Sequence, residues 1–478
     1  MRVFHLSAEC FPIAKAGGLG DVVGALPKYL NAGDVNASVI IPYYDRPFVH
    51  QNTFITVYQG TFLLGDEPKP YHILKEQTDK LGFPLFMINV PGLLDRTEIY
   101  GYPDEQIQFI AFQLAFLDWM LHDPEKPDII HCHDHHSGLI PFLINYAYRY
   151  NSLKDIPTVF TIHNGEYQGW MDWKQAAFLP AFDPWKAGYL DWDYAINPMA
   201  AAIKCSWKFT TVSPGYLSEL LLNCKGLEPL FQAEWQKGLG ILNGIDDSVW
   251  NPETDEMISP NYNTKTAGPG KLKNKKVLCT EFGLDHEKAL VVFIGRLVTE
   301  KGADLLPEIL LQSLNKSKEV NFLILGSGEK AIENSLAAIG EKFPTQCSVF
   351  IGYNEKLSHR IYAGADFLIM PSRVEPCGLN QLYSLKYGTM PLVSNTGGLK
   401  DTVRDFEKDN EGYGITFNTD SIAEAVTAID RALTVYQDKT LLKLLRERMM
   451  SLDFSWNNSA NQYIKLYQGL KPTLWNQA

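Results

Sequence analysis

The chain has no CxxC pair, no apolar run of 18 residues and no surplus of positive charge, and each absence excludes a class of protein. Its seven cysteines (10, 132, 205, 224, 279, 347 and 377) are odd in number and irregularly spaced, so they read as reduced thiols rather than a disulfide framework. Residues 1–6 lack a charged start leading into a long apolar stretch, so neither export nor membrane insertion is expected and a cytoplasmic location is. Subtracting 55 acidic from 43 basic residues leaves a net charge of −12, which repels nucleic-acid backbones and anionic membranes. Any anionic ligand must therefore be held by a local group of cations. No repeat with a period of 20–50 residues is present.

What remains is an ordinary globular composition, 45% hydrophobic and 21% charged, in a chain of 478 residues that is too long for one core. Apolar strand candidates fall at 3–6, 38–41, 129–131, 158–162, 209–212 and 240–242, and again at 290–294, 321–325, 366–370 and 391–394, with helix-length segments between them. That alternation predicts an α/β chain of two Rossmann-like doubly wound domains facing each other across a cleft. Residues 251–276 are polar, rich in Pro, Gly, Asn and Lys, and without hydrophobic period, so the inter-domain connection is placed near the start of this stretch. The expected domains are 1–248 and 249–454, with three helical segments from residue 420 onward closing the chain.

Loops that follow parallel strands present backbone N–H groups and helix N-termini, where phosphates bind. Three such loops carry glycine beside charge. Lys15-Ala16-Gly17-Gly18-Leu19-Gly20-Asp21 is neither a dinucleotide fingerprint nor a P-loop, which disfavours a dehydrogenase or an ATPase. Gly295-Arg296-Leu297-Val298-Thr299-Glu300-Lys301-Gly302 follows a strongly apolar strand and places two cations where a diphosphate would lie. Pro371-Ser372-Arg373-Val374-Glu375-Pro376-Cys377-Gly378-Leu379-Asn380-Gln381 sets a carboxylate ahead of a helix start.

These segments together resemble the bacterial glycogen/starch synthases, with their opening KxGGL and later EPCGLTQ motifs. His131-Cys132-His133-Asp134, Thr161-Ile162-His163-Asn164, Leu242-Asn243-Gly244 and Thr396-Gly397-Gly398-Leu399 match further family segments in the same order. The resemblance implies a glycosyltransferase-B fold whose last helix (455–478) joins the first domain. It implies transfer of glucose from ADP-glucose, with UDP-glucose the alternative, to the non-reducing end of glycogen or a linear α-1,4-glucan with retention of configuration. No metal and no cofactor are implied. Lys15, Arg296 and Lys301 would hold the diphosphate, helped by Gly17, Gly18 and the helix start at Leu379-Asn380. Asp21, Asn243, Cys377 and Gly378 would complete the donor site, and Tyr353 would stack on the base. Glu375, His163 and Asp134 would surround the transferred glucose. Two positions depart from the family pattern: His135 stands where Trp is common, and Asn380 where Thr is.

Rival readings stay open at this level. The run from His131 to His136 offers ligands for a zinc hydrolase, although its order is HxHDHH and not HxHxDH. A glucan-binding protein without catalysis would use the 10 Trp and 23 Tyr, yet has no need of Lys15, Arg296, Lys301 and Glu375 together. A glucan phosphorylase would share the shape but would need a lysine-bound pyridoxal phosphate.

Overall fold

The computed structural model describes residues 1–470, which form two compact units: residues 1–242 with the helix Trp456–Leu470, and residues 243–455. The expected terminal segment 455–478 thus lies partly outside the described residues, from 471 onward.

The first unit is built on β1 (Arg2–Leu6), β2 (Asn36–Pro42), β3 (Phe54–Leu64), β4 (Glu67–Glu76), β5 (Leu85–Asn89), β6 (Ile129–His133) and β7 (Thr158–Ile162). A small hairpin, β8 (Asp191–Trp192) and β9 (Ala195–Ile196), precedes β10 (Lys208–Thr211) and β11 (Gly238–Gly240). Nine of these strands join one sheet in the order β11-β10-β7-β6-β1-β2-β5-β4-β3. The central strands are parallel and buried on both faces, which is why they read as continuous apolar runs. The hairpin of β3 and β4 is antiparallel, and its exposed face makes its pattern mixed, so the apolar-run reading passes over it. The last strand lies two residues earlier than the 240–242 expected.

The helix Trp456–Leu470 buries Trp456, Ala460, Tyr463 and Tyr467 in a cluster with Val3, Val22, Leu26, Leu30 and Ile129. Each large side chain so buried contributes about 1.5–3 kcal/mol. The helix is therefore an integral layer of this unit.

The second unit carries β12 (Ala289–Ile294), β13 (Val320–Gly326), β14 (Cys347–Ile351), β15 (Phe367–Met370), β16 (Met390–Ser394) and β17 (Ile415–Phe417), all parallel, in the order β14-β13-β12-β15-β16-β17. The polar stretch after residue 251 is not all connection, because its second half belongs to the helix Ala267–Glu281. That helix turns Lys271, Asn274 and Lys275 inward. Lys271 donates to the carbonyls of Tyr362, Ala363 and Tyr387 and to Thr389 Oγ1, while Lys275 pairs with Asp366 at 2.6 Å. A core face made of satisfied lysines leaves no hydrophobic period to read.

Both sheets have a point where strand order reverses, β1/β6 in the first unit and β12/β15 in the second. Loops leaving the carboxyl ends of such strands diverge and open a crevice, the usual ligand position in open α/β sheets.

Candidate active site

At the β1/β6 switch, the loop after β1 carries Lys15 and the glycines. Gly17 is the N-cap of the helix Gly18–Asn31, and Lys15 Nζ lies 2.6 Å from Asp21 in its first turn. The loop is organised by a residue the sequence reading did not single out. Glu9, almost fully buried, accepts the amides of Ala16 (2.6 Å) and Gly17 (3.0 Å) on Oε2 and the Tyr100 hydroxyl (2.7 Å) on Oε1. The Gly17 amide, expected to face phosphate, is thus held by a carboxylate. The nearest sequence signal for this was an acidic residue three positions past the end of an apolar strand.

The loop after β6 begins with Asp134, whose φ of 53° is unusual for a residue with a side chain. Strain of this kind costs about 1–3 kcal/mol and tends to mark functional positions. Asp134 Oδ1 accepts the backbone N–H of His163 at 2.8 Å, and so ties the loop after β6 to the loop after β7. Burial raises the Asp134 carboxyl to about 7, against the lowering effect of the His163 and Asn164 amides. The His163 ring, lowered to about 3 by burial, contacts His133 Nδ1 through Nε2 at 3.0 Å.

His135 packs over Gly169, where an added Cβ would come within 2.5 Å of its ring. A cavity of about 330 Å³ opens beside His135, with Gln106, Tyr167 and Trp170 among its walls.

The histidine run does not gather as one ligand set. His131 and His133 are joined instead by His5 of β1, and nitrogens of these three rings lie within 4.8 Å of one another, all buried. His5 Nδ1 and His133 Nε2 face each other at 3.0 Å, and both His131 nitrogens are taken by hydroxyls, Tyr467 at 2.7 Å and Thr161 at 2.6 Å. Lone pairs engaged ring to ring are not aimed at a common centre, as a tetrahedral metal requires. The chain's one Asp-x-Asp spacing, Asp191-Trp192-Asp193, lies in the β8–β9 hairpin, where Asp191 accepts the Trp173 indole N–H at 2.8 Å.

In the second unit the loops after β12 and β15 flank the switch. Residues Thr299–Lys301 form a short 3-10 turn closed by Gly302 at φ 64°. A side chain at Gly302 would collide with the Pro371 carbonyl, an added Cβ lying 1.9 Å from it, so this glycine is what lets the two loops touch. The backbone N–H of Arg373 donates to the Glu300 carbonyl at 2.9 Å, locking them together. The lock brings Lys301 Nζ to 2.8 Å from Glu375 Oε1, while Ser372 Oγ donates to Glu375 Oε2 at 3.0 Å. Arg296 is more exposed and pairs with Glu300 at 3.3 Å.

Past Glu375, the Cys377 thiol is buried and pushed up to about 12, so it stays protonated; the Asn243 backbone hydrogen-bonds it. Gly378 has φ 76° and Leu379 precedes the helix Asn380–Lys386. Asn380 Nδ2 donates to the Ile294 carbonyl at 2.7 Å, so its side chain ties the β15 loop to the end of β12. Tyr353, after β14, is 81% exposed. The loops therefore gather Lys15, Gly17, Gly18 and Asp21 with Asp134 and His163 in one unit. They gather Arg296, Lys301, Glu375, Cys377, Gly378, Leu379 and Asn380 in the other. All seven cysteines are free and buried, and no described helix is long and apolar enough to cross a membrane.

Comparison with known proteins gives two family matches, "Starch synthase catalytic domain" over residues 2–233 and "Glycosyl transferases group 1" over residues 276–444. A glycogen synthase of Flavobacterium johnsoniae is 48% identical over 468 residues, covering 98% of each chain. One from Geobacillus stearothermophilus is 35% identical over 478 residues, again covering 98% of each. Among solved structures, the catalytic domain of starch synthase IV from Arabidopsis thaliana bound to ADP and acarbose superposes with a TM-score of 0.88 at 32% identity, over 98% of this chain and 99% of that one. A sucrose-phosphate synthase from Thermosynechococcus elongatus, at 15% identity and a TM-score of 0.61, shares the fold.

Proposed function

Since the chain belongs to the glycogen/starch synthase family of glycosyltransferases, enzymes that transfer glucose, we propose that it extends an α-1,4-glucan at the non-reducing end from ADP-glucose, with retention of configuration. The observation that carries this reading is the Lys301–Glu375 contact of 2.8 Å, made by two loops at the strand-order reversal of the second unit. A transferase would use such a cation and carboxylate against the opposite charges that develop at the leaving group and the sugar.

Departure of a nucleoside diphosphate develops negative charge, which Lys301 and Arg296 would stabilise. The sugar meanwhile gains positive character, which the Glu375 carboxylate offsets. Ser372 holds that carboxylate in one orientation, so little reorganisation is needed at the moment of reaction. Asp134, through its bond to the His163 amide, fixes the loop that carries His163 beside the glucose. Tyr353 offers an exposed ring for the nucleobase. The choice of ADP-glucose over UDP-glucose is supported by the starch synthase structure, which holds ADP, and a glucan acceptor by the bacterial relatives, which are named glycogen synthases.

The test is incorporation of labelled glucose into glycogen from ADP-glucose and, separately, from UDP-glucose, with the anomeric configuration of the new linkage read by NMR. Faster incorporation from ADP-glucose into an α-linkage is expected. Incorporation from neither donor, or a β-linkage, would sink the proposal.

A further inference from the structure

His163 is the outer end of a row of three imidazoles. Register pairs His5 of β1 with His131 of β6, and the two-residue period of a strand puts His133 on the same face as both. His5 Nδ1 meets His133 Nε2 at 3.0 Å, and His133 Nδ1 meets His163 Nε2 at 3.0 Å. His5 and His133 are wholly buried, and His163 keeps 8% exposure. The inner end, His5 Nε2, is buried with no hydrogen-bond partner among the described residues.

A neutral imidazole has one N–H and one lone pair, so the direction chosen at one ring dictates the next. Burial keeps these rings neutral, with His5 and His163 lowered to about 3 and His133 well below its ordinary value. Two arrangements then satisfy both contacts. Either every ring donates toward His163, or every ring donates toward His5. The second strands an N–H on His5 Nε2 in the protein interior; the first leaves only a lone pair there. Buried N–H groups without acceptors are rarer than under-used acceptors, because their desolvation is uncompensated. His131 exerts no pull on this choice, since its partners Tyr467 and Thr161 are hydroxyls that can donate or accept.

We propose that His5 and His133 are positioning residues that fix the tautomer of His163, with the proton on Nδ1, so that His163 presents the reacting sugar with an N–H donor and not a base. This rests on the reading above that places His163 beside the transferred glucose.

The experiment is nitrogen NMR on the full chain labelled with ¹⁵N-histidine, in which two-bond correlations show which ring nitrogen carries hydrogen. Protonated Nδ1 and bare Nε2 at His163 and His133 are expected; protonated Nε2 at His163 would overturn the proposal. Two variants probe the coupling. His5→Leu removes the donor to His133 and should give mixed tautomers at His163, with kcat lower by about three- to tenfold, the scale of one hydrogen bond, and donor KM little changed. His5→Gln keeps an amide N–H for His133 and should restore both. Equal losses in the two variants, or a wild-type tautomer in His5→Leu, would reduce His5 to a packing residue and overturn the coupling. If both failed to fold, the wild-type tautomer would still decide. Retention of kcat in His163→Ala would instead remove the placement of His163 beside the sugar while leaving the tautomer result standing.

Discussion

Lys301 Nζ and Glu375 Oε1 lie 2.8 Å apart, although they belong to loops leaving two different strands. Each residue is thus the other's electrostatic environment before any ligand arrives. Glu375→Gln is expected to lower kcat by about a hundredfold or more, the scale of losing one preorganised charge-stabilising group, and Lys301→Met by a similar factor. The double variant should lose less than the product, with a coupling of about 0.5–3 kcal/mol. Strict additivity of kcat/KM in the cycle would show that the pair does not act as a unit.

Glu9 holds the glycine loop through two backbone amides. Hydrogen bonds to a charged group contribute about 1.5–3 kcal/mol each, so Glu9→Ala should release the loop and raise the donor KM by tenfold or more. Tyr100→Phe, which removes only the hydroxyl to Glu9, should have the milder effect. Steady-state rates against nucleotide-sugar concentration decide, and an unchanged KM in Glu9→Ala would refute the role.

Asp134 gives the fold a pH signature. Its carboxyl stands at about 7 in the folded chain because burial disfavours the charge, against an ordinary value of 3.8. Between those values the native state binds more protons than the unfolded one, so this group's contribution is fully present below 3.8 and is lost as pH rises toward 7. Asp134→Asn should flatten the decline of stability across that window, read as denaturation midpoints at pH 5 and pH 7. An unchanged slope would mean that Asp134 is ionised throughout.

Asp366 behaves in the opposite sense. Burial raises its carboxyl, but Lys275 and Arg446 outweigh that and hold it below its ordinary range. Its stabilisation is present above 3.8 and lost as pH falls through its lowered value. Asp366→Asn leaves two nearly buried cations without a counter-ion, which costs about 3–5 kcal/mol. A thermal midpoint close to wild type would contradict this.

The sequence made most of the parallel strands legible because both of their faces are buried, although it passed over β5, β14 and β17, and it made the cations of the switch-point loops legible because strand, glycine and charge follow in order. It did not reveal the helix Ala267–Glu281, whose inward face is Lys271, Asn274 and Lys275, because such a face is recognisable only once Asp366 and the carbonyls that satisfy it are in view. The same holds for the site. Asp134 and His163 are reached through the family resemblance, but the row behind His163 depends on the register that sets His5 opposite His131, and cross-strand register is not written in either strand alone. Glu9 was hidden for the same reason, since its partners Gly17 and Tyr100 come from separate segments.

The seat of the helix Trp456–Leu470 has a meaning for the chain as it is made. A ribosome delivers residues 1–242 first and the whole of the second unit before that helix emerges. Throughout that interval the apolar groove around Val22, Leu26 and Leu30 stands open, and His131 waits for the hydroxyl of Tyr467. The contiguous second unit can condense as soon as it is out, so the order of maturation runs against the order of synthesis. A chain truncated before residue 456 and released would carry a complete second unit and an unsealed first one, the state most exposed to aggregation.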